Sequence, residues 1–171
     1  MVRPGPGNRR SAAEVVKSVN EQQWPHLSGR LVTDADGRFH QLPVRVYFED
    51  TDFSGVVYHA SYLRWCERGR SDFLRLLGSH HDALFDGADG KDPAAFVVRR
   101  MALEFQRPAR IDDVLVVETR VHEIGAAALQ LDQVIRRGDQ VIFEARVQVV
   151  LVSLAGKPQR LSQRIRNALE G

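Results

Sequence analysis

Between Tyr47 and His59 the chain reads Tyr47-Phe48-Glu49-Asp50-Thr51-Asp52-Phe53-Ser54-Gly55-Val56-Val57-Tyr58-His59. An apolar, strand-like run ends in three carboxylates, and a glycine turn follows. His59 then stands just ahead of an amphipathic helix that begins near Ser61. This order sets an acid and an imidazole at a helix entrance, where unpaired backbone N–H groups point outward and favour negative charge. A carbonyl oxygen that gains charge during a reaction would be stabilised there. By spacing alone Asp52 also fits a helix cap or a turn acid. His59 equally fits an ordinary histidine preceding a helix.

The elements that must hold these residues are legible from periodicity. Tyr62, Trp65, Cys66, Gly69, Phe73, Leu76 and Leu77 recur at helical spacing and predict a buried stripe over Ser61–Leu77. Gly69 within that stripe invites close approach of a neighbour, and Gly78 suits the residue just past the helix end. Upstream, Gly29–Thr33 and Arg38–Phe48 flank the turn Asp34-Ala35-Asp36-Gly37 as a hairpin. Downstream, Ala95–Gln106, Val114–Glu123, Ala127–Arg137 and Gln140–Leu154 read as strands with short connections, and hence as antiparallel neighbours. Leu161, Ile165 and Leu169 predict a small C-terminal helix, and Ser11–Val19 a short helix ended by Trp24-Pro25. Residues 1–10 read as disordered and Gly78–Pro93 as a mobile connection. The expectation is an α+β layer structure, with one long helix against a five-stranded antiparallel sheet. Its organisation would be an N-terminal extension (1–42, a short helix with an optional extra strand), a central domain (43–155) and a C-terminal tail (156–171).

Composition limits the remaining possibilities. With 171 residues, 43% of them hydrophobic and 27% charged, the chain suits one soluble domain. A formal charge of +2 is too weak to argue for nucleic acid as a partner. The lone cysteine, Cys66, excludes an internal disulfide and suits a reducing compartment; it reads as core. No apolar run has the length of a transmembrane segment, and the first residues lack a signal-peptide core. A cytoplasmic protein is expected. The Asp34–Gly37 turn lacks the other positions of a calcium loop, and His80-His81-Asp82 lacks metal-ligand spacing, so no metal is expected.

Several separated motifs, in order, resemble the hotdog-fold thioesterases of the 4-hydroxybenzoyl-CoA thioesterase-like family. They are Val46–Asp52, Gly55–Tyr62, Glu67–Arg70, Phe96–Met101 and Pro108–Asp113. The nearest branch is the acyl-CoA thioesterases associated with the bacterial Tol-Pal system, and the likeness spans roughly residues 43–155. It implies a curved sheet wrapped around one helix, and a homodimer or homotetramer with active sites between subunits. The implied activity is hydrolysis of an acyl-CoA to a carboxylic acid and free coenzyme A, with coenzyme A entering only as the substrate's thioester and no cofactor.

Carried onto this chain, the resemblance makes Asp52 the nucleophile or the general base. His59 becomes the group that bonds the thioester carbonyl or orients water, and the Gly55, Val57 and Tyr58 backbone becomes the oxyanion and positioning turn. Arg99, Arg100, Arg107 and Arg110 are candidate ligands for the coenzyme A phosphates. With only Glu104 opposing them, residues 99–110 carry 4 − 1 = +3. Alternation along the strand sets Arg99 and Arg100 on opposite faces, and each also fits a solvated edge charge. Glu67 reads as a helix ion-pair partner of Arg64 or Arg70. Two other functions compete. One is an acyl carrier protein thioesterase, its acidic partner received by Arg99–Arg110 and Lys157–Arg166. The other is a non-catalytic acyl-binding or scaffold protein docked through the N-terminal extension.

Overall fold

The computed structural model describes residues 29–78 and 93–170. The readings made for Ser11–Val19, Trp24-Pro25, His80-His81-Asp82 and nearly all of the Gly78–Pro93 connection lie outside those residues.

Strands β1 (Arg30–Asp34) and β2 (Gly37–Arg45) form the predicted hairpin, whose turn closes at Gly37 with φ +105°. A single 3₁₀ turn (Phe48–Asp50) and a loop lead into the long helix α1 (His59–Leu76). Then come β3 (Ala94–Phe105), β4 (Val114–Ile124), β5 (Ala128–Arg137), β6 (Gln140–Ser153) and the short helix α2 (Gln163–Glu170). The sheet has six strands, in the order β1-β2-β4-β5-β6-β3, each pair antiparallel. The sixth is β1, contributed by the segment read as an extension. β2 runs across the expected boundary at residue 43 without a break.

Two sequence expectations are corrected. The strand expected to reach Phe48 stops at Arg45, because the Asp50 carboxylate accepts the Tyr47 N–H at 2.9 Å and curls the backbone. β3 is not a neighbour of β4; it pairs with β6 at the far edge. A short connection did not force adjacency. Residues 106–113 can span roughly 26 Å when extended, and three inter-strand steps need only about 14 Å.

One face of the sheet closes on α1. Leu115 and Val117 of β4, Leu129, Leu131 and Ile135 of β5, and Phe143, Val147 and Val149 of β6 are buried with Trp65, Cys66 and Tyr62 of the helix. Gly69 faces β4 so closely that a Cβ there would meet Val117 and Thr119 side-chain atoms at 3.1 Å. The α1 stripe is therefore narrowest where the helix crosses the sheet. Gly78, at φ +74°, ends α1 as expected. Leu161, Ile165 and Leu169 seal the end of the core, and Arg38 donates to the Ala168 carbonyl, tying α2 to β2.

Candidate active site

Asp52 sits in a loop drawn tight by the isolated bridge between Thr51 and Val57. Its N–H donates to the Val56 carbonyl at 3.0 Å, and its carbonyl accepts the Gly55 N–H at 3.0 Å. Gly55 takes φ +77°, a conformation that side chains resist. The carboxylate makes an Asx turn: Oδ1 accepts the Ser54 N–H at 2.9 Å and the Ser54 hydroxyl. Oδ2 has no hydrogen bond among the described residues and is open to solvent. The Ser54 hydroxyl, then its N–H, hold the Asp52 pKa below the ordinary carboxylate value, with a further contribution from His59. The turn-acid reading of Asp52 holds through Oδ1. One oxygen is the turn acid, and the other is free for chemistry.

The next residues explain why the helix starts here. Asp50 is buried; its carbonyl accepts the Tyr58 N–H at 2.8 Å and the Ser61 hydroxyl at 3.3 Å. That fixes Tyr58 as the residue before the first helical turn, and no side chain caps it. His59 is the first helical residue, exposed, its ring packed on Tyr58 at 4.3 Å between centroids. Among the described residues, the amides left free at the helix start are therefore those of His59 and Ala60. Of the amides expected to serve as oxyanion donors, that of His59 is left free, whereas three of the turn are engaged elsewhere. Gly55 N–H bonds Asp52, Val57 N–H bonds the Ala109 carbonyl at 2.9 Å, and Tyr58 N–H bonds Asp50. Gly55, Val57 and Tyr58 shape the loop rather than donate from it.

A shallow cavity of about 280 Å³ opens beside His59, lined by Val57, Tyr62, Phe105 and Arg107. Tyr62 is buried against Phe143 and Phe105, and its hydroxyl accepts the Ala109 N–H at 3.0 Å. Of the four arginines singled out, Arg107 alone lines this cavity; its guanidinium also donates to the Val141 carbonyl at 3.2 Å. Arg110 is exposed on the following turn. Arg99 and Arg100 are exposed near the middle of β3, roughly 15–20 Å from Phe105 along the strand. A bulge at Arg99 also breaks the alternation that was expected to send the two to opposite faces. Glu67 does not pair with Arg64 or Arg70; it accepts the Ser71 hydroxyl at 2.6 Å. Spacing reasoning missed Ser54, although an Asp followed two residues later by a serine is the signature of an Asx turn.

A carboxylate fixed by one oxygen, a free second oxygen and an uncapped helix start suit attack on, or hydration of, an activated carbonyl. The comparisons agree with that chemistry. Residues 54–147 match the family model of the thioesterase superfamily. The chain belongs to the thioesterase superfamily. The match begins two residues after Asp52 and does not include it. The acyl-CoA thioesterase YbgC of Haemophilus influenzae is 41% identical over 113 residues, 66% of this chain and 80% of that protein. The acyl-CoA thioester hydrolase YbgC of Escherichia coli O157:H7 is 41% identical over 125 residues, 72% of this chain and 90% of that one. The crystal structure of a probable thioesterase from Bartonella henselae superposes with a TM-score of 0.70 at 45% identity, covering 72% of this chain and 99% of that one. The α+β architecture is thus the hotdog fold of this superfamily.

Proposed function

We propose that the chain hydrolyses acyl-CoA thioesters to a carboxylic acid and free coenzyme A, with Asp52 as the reacting carboxylate. The observation that carries the reading is the divided role of that side chain: Oδ1 tied to Ser54, Oδ2 open beside the uncapped start of α1. Oδ2 either adds to the thioester carbon, expelling the thiolate and leaving an anhydride for water to cleave, or takes a proton from water that adds directly. The carbonyl oxygen, negative in either addition, is received by the amides of His59 and Ala60 and by the imidazole. Water and a carboxylate suffice, so neither metal nor redox cofactor is invoked. Arg107 is the cation best situated for a coenzyme A phosphate.

Asp52→Asn is the test. Release of free thiol from acyl-CoAs should fall by roughly 100-fold or more, with the thermal transition unchanged. Full activity in that variant would end the assignment.

A homodimer completes the reading. The outer edge of β3 has no strand beside it among the described residues, and Val97 and Val98 are exposed there. Phe48 and Phe53 are exposed around the Asp52 loop. Long apolar edges are normally covered, and a second copy would cover both. Sedimentation equilibrium distinguishes monomer, dimer and tetramer. Acyl carrier protein is the second reading of the substrate, favoured by the exposure of Arg99 and Arg100 away from the His59 cavity. Comparing kcat/KM on the same acyl group carried by coenzyme A and by the carrier protein separates the two. A reducing compartment suits the single, buried Cys66.

A further inference from the structure

The second half of α1 borders a larger cavity of about 440 Å³, in the range of roughly 300–1,000 Å³ typical of small-molecule sites. Phe96, Leu131, Val149 and Leu169 make most of its wall apolar, and Arg70 is the cation on it. The Arg70 guanidinium donates to Gln133 Oε1 at 2.7 Å. Gln133 is fully buried and cannot turn away, because its amide donates to the Cys66 carbonyl and to Thr119 Oγ1, both at 2.9 Å. Arginine has five N–H donors in a rigid fork. Here a neutral amide anchors one of them. No carboxylate of the described residues lies within 4.0 Å of Arg70, and Glu67 attracts its charge from further off. Glu67, also on the wall, is exposed and bonded to Ser71. Burial works against the Arg70 charge, lowering its pKa. A half-buried cation on a largely apolar cavity, held in place with no carboxylate of the described residues in contact and Glu67 acting on it only from further off, is matched by a ligand that brings one.

We propose that this cavity takes an apolar chain ending in a carboxylate, with Arg70 holding the carboxylate. The ligand has two sources. One is the distal end of a dicarboxylic acyl thioester: Arg70 lies about 16 Å beyond His59 along the helix axis, a reach of about a dozen extended carbons. This source rests on the proposed activity. The other is the free acid that hydrolysis releases, and its binding stands without that activity.

The experiment has an arm for each. Calorimetric titration of the full chain should show octanoate binding about ten-fold more tightly than octanamide. Wild-type kcat/KM should likewise favour dodecanedioyl-CoA over dodecanoyl-CoA by about ten-fold if the acyl end is the source. Arg70→Gln should erase whichever preference exists, and Arg70→Lys should retain part of it. Should Arg70→Gln fail to fold, the wild-type comparisons and Arg70→Lys still decide. A preference in either arm that depends on Arg70 supports the proposal and names the source. Absence of both preferences in the wild type, or a preference unchanged in Arg70→Lys and Arg70→Gln, overturns it. Octanoate binding by a protein that hydrolyses no thioester would keep the cavity assignment and remove the proposed function.

Discussion

Two of the aspartate–histidine pairs on this molecule are built in opposite ways. His40 and Asp72 are in direct contact, Nε2 to Oδ2 at 2.8 Å, with the imidazole fully buried and stacked on Phe73. Asp72 also accepts the Gly29 N–H at 2.6 Å, so the pair clamps the β1–β2 hairpin to α1. Asp52 and His59 are both exposed, and Asp52 bonds Ser54 instead of the histidine. A search by proximity would choose the first pair as the reactive one. The fold makes it a clamp: no substrate reaches a sealed imidazole. The looser pair borders open surface and an uncapped helix start, where a carbonyl can enter and its charge can be met. Accessibility separates the pair proposed to react from the buried clamp.

The contrast can be broken from either side. The largest effect is expected from Asp52→Asn, which should remove activity at unchanged stability. His40→Ala should do the reverse. It removes one of the partners of Asp72 and opens a gap against Phe73, costing about 2–3 kcal/mol of stability, while turnover per folded molecule is retained. Urea unfolding beside thiol-release rates reads both variants, and loss of activity in folded His40→Ala would erase the distinction.

A smaller effect follows from pH. Burial holds the His40 pKa below the ordinary histidine value of 6.5, outweighing the opposing pull of Asp72. The unfolded chain therefore binds a proton first as pH falls, and stability should decline from pH 6.5 downward. The Asp72 pKa lies below 3.8: burial pushes it up, but bonds from Arg75, His40 and the Gly29 N–H outweigh that. Its contribution is present above 3.8 and is lost as pH falls through the depressed value. His40→Leu should flatten the upper part of the urea-midpoint profile.

Ser54→Ala tests the anchoring of Asp52. Loss of the bond that most depresses the Asp52 pKa should move the acid limb of kcat/KM to higher pH, with a few-fold fall at neutral pH. An unmoved limb would mean that another group governs it. The smallest effect belongs to Cys66, whose buried thiol is pushed up to about 12 and should resist alkylation until the chain is unfolded.

How much was legible beforehand depended on the range of the interaction. Trp65, Cys66, Gly69 and Phe73 declared α1 because helical periodicity is local. The edges of β4, β5 and β6 were legible to within a residue because turn residues mark them. The order of the strands was not. β4 is flanked by β2 and β5, so β3 takes the free edge of β6, a placement that a short linker permits but does not announce. The site divided likewise. Asp52 and His59 stood out by type and spacing, but the engagement of the Gly55, Val57 and Tyr58 amides depends on carbonyls of Asp50, Asp52 and Ala109 that only the folded loop brings near.

The sequence by itself determined the superfamily, the long helix, the strand-rich remainder and the acid–histidine entrance to the helix. These are local patterns, each readable within a dozen residues. Tertiary structure alone decided that Asp52 keeps one oxygen free, that His40 and Asp72 form a sealed clamp, and that Arg70 meets a cavity without a contacting carboxylate among the described residues. The last two of those facts need side chains from segments far apart in the chain. Burial and charge pairing belong to the assembled core, and no stretch of sequence contains them.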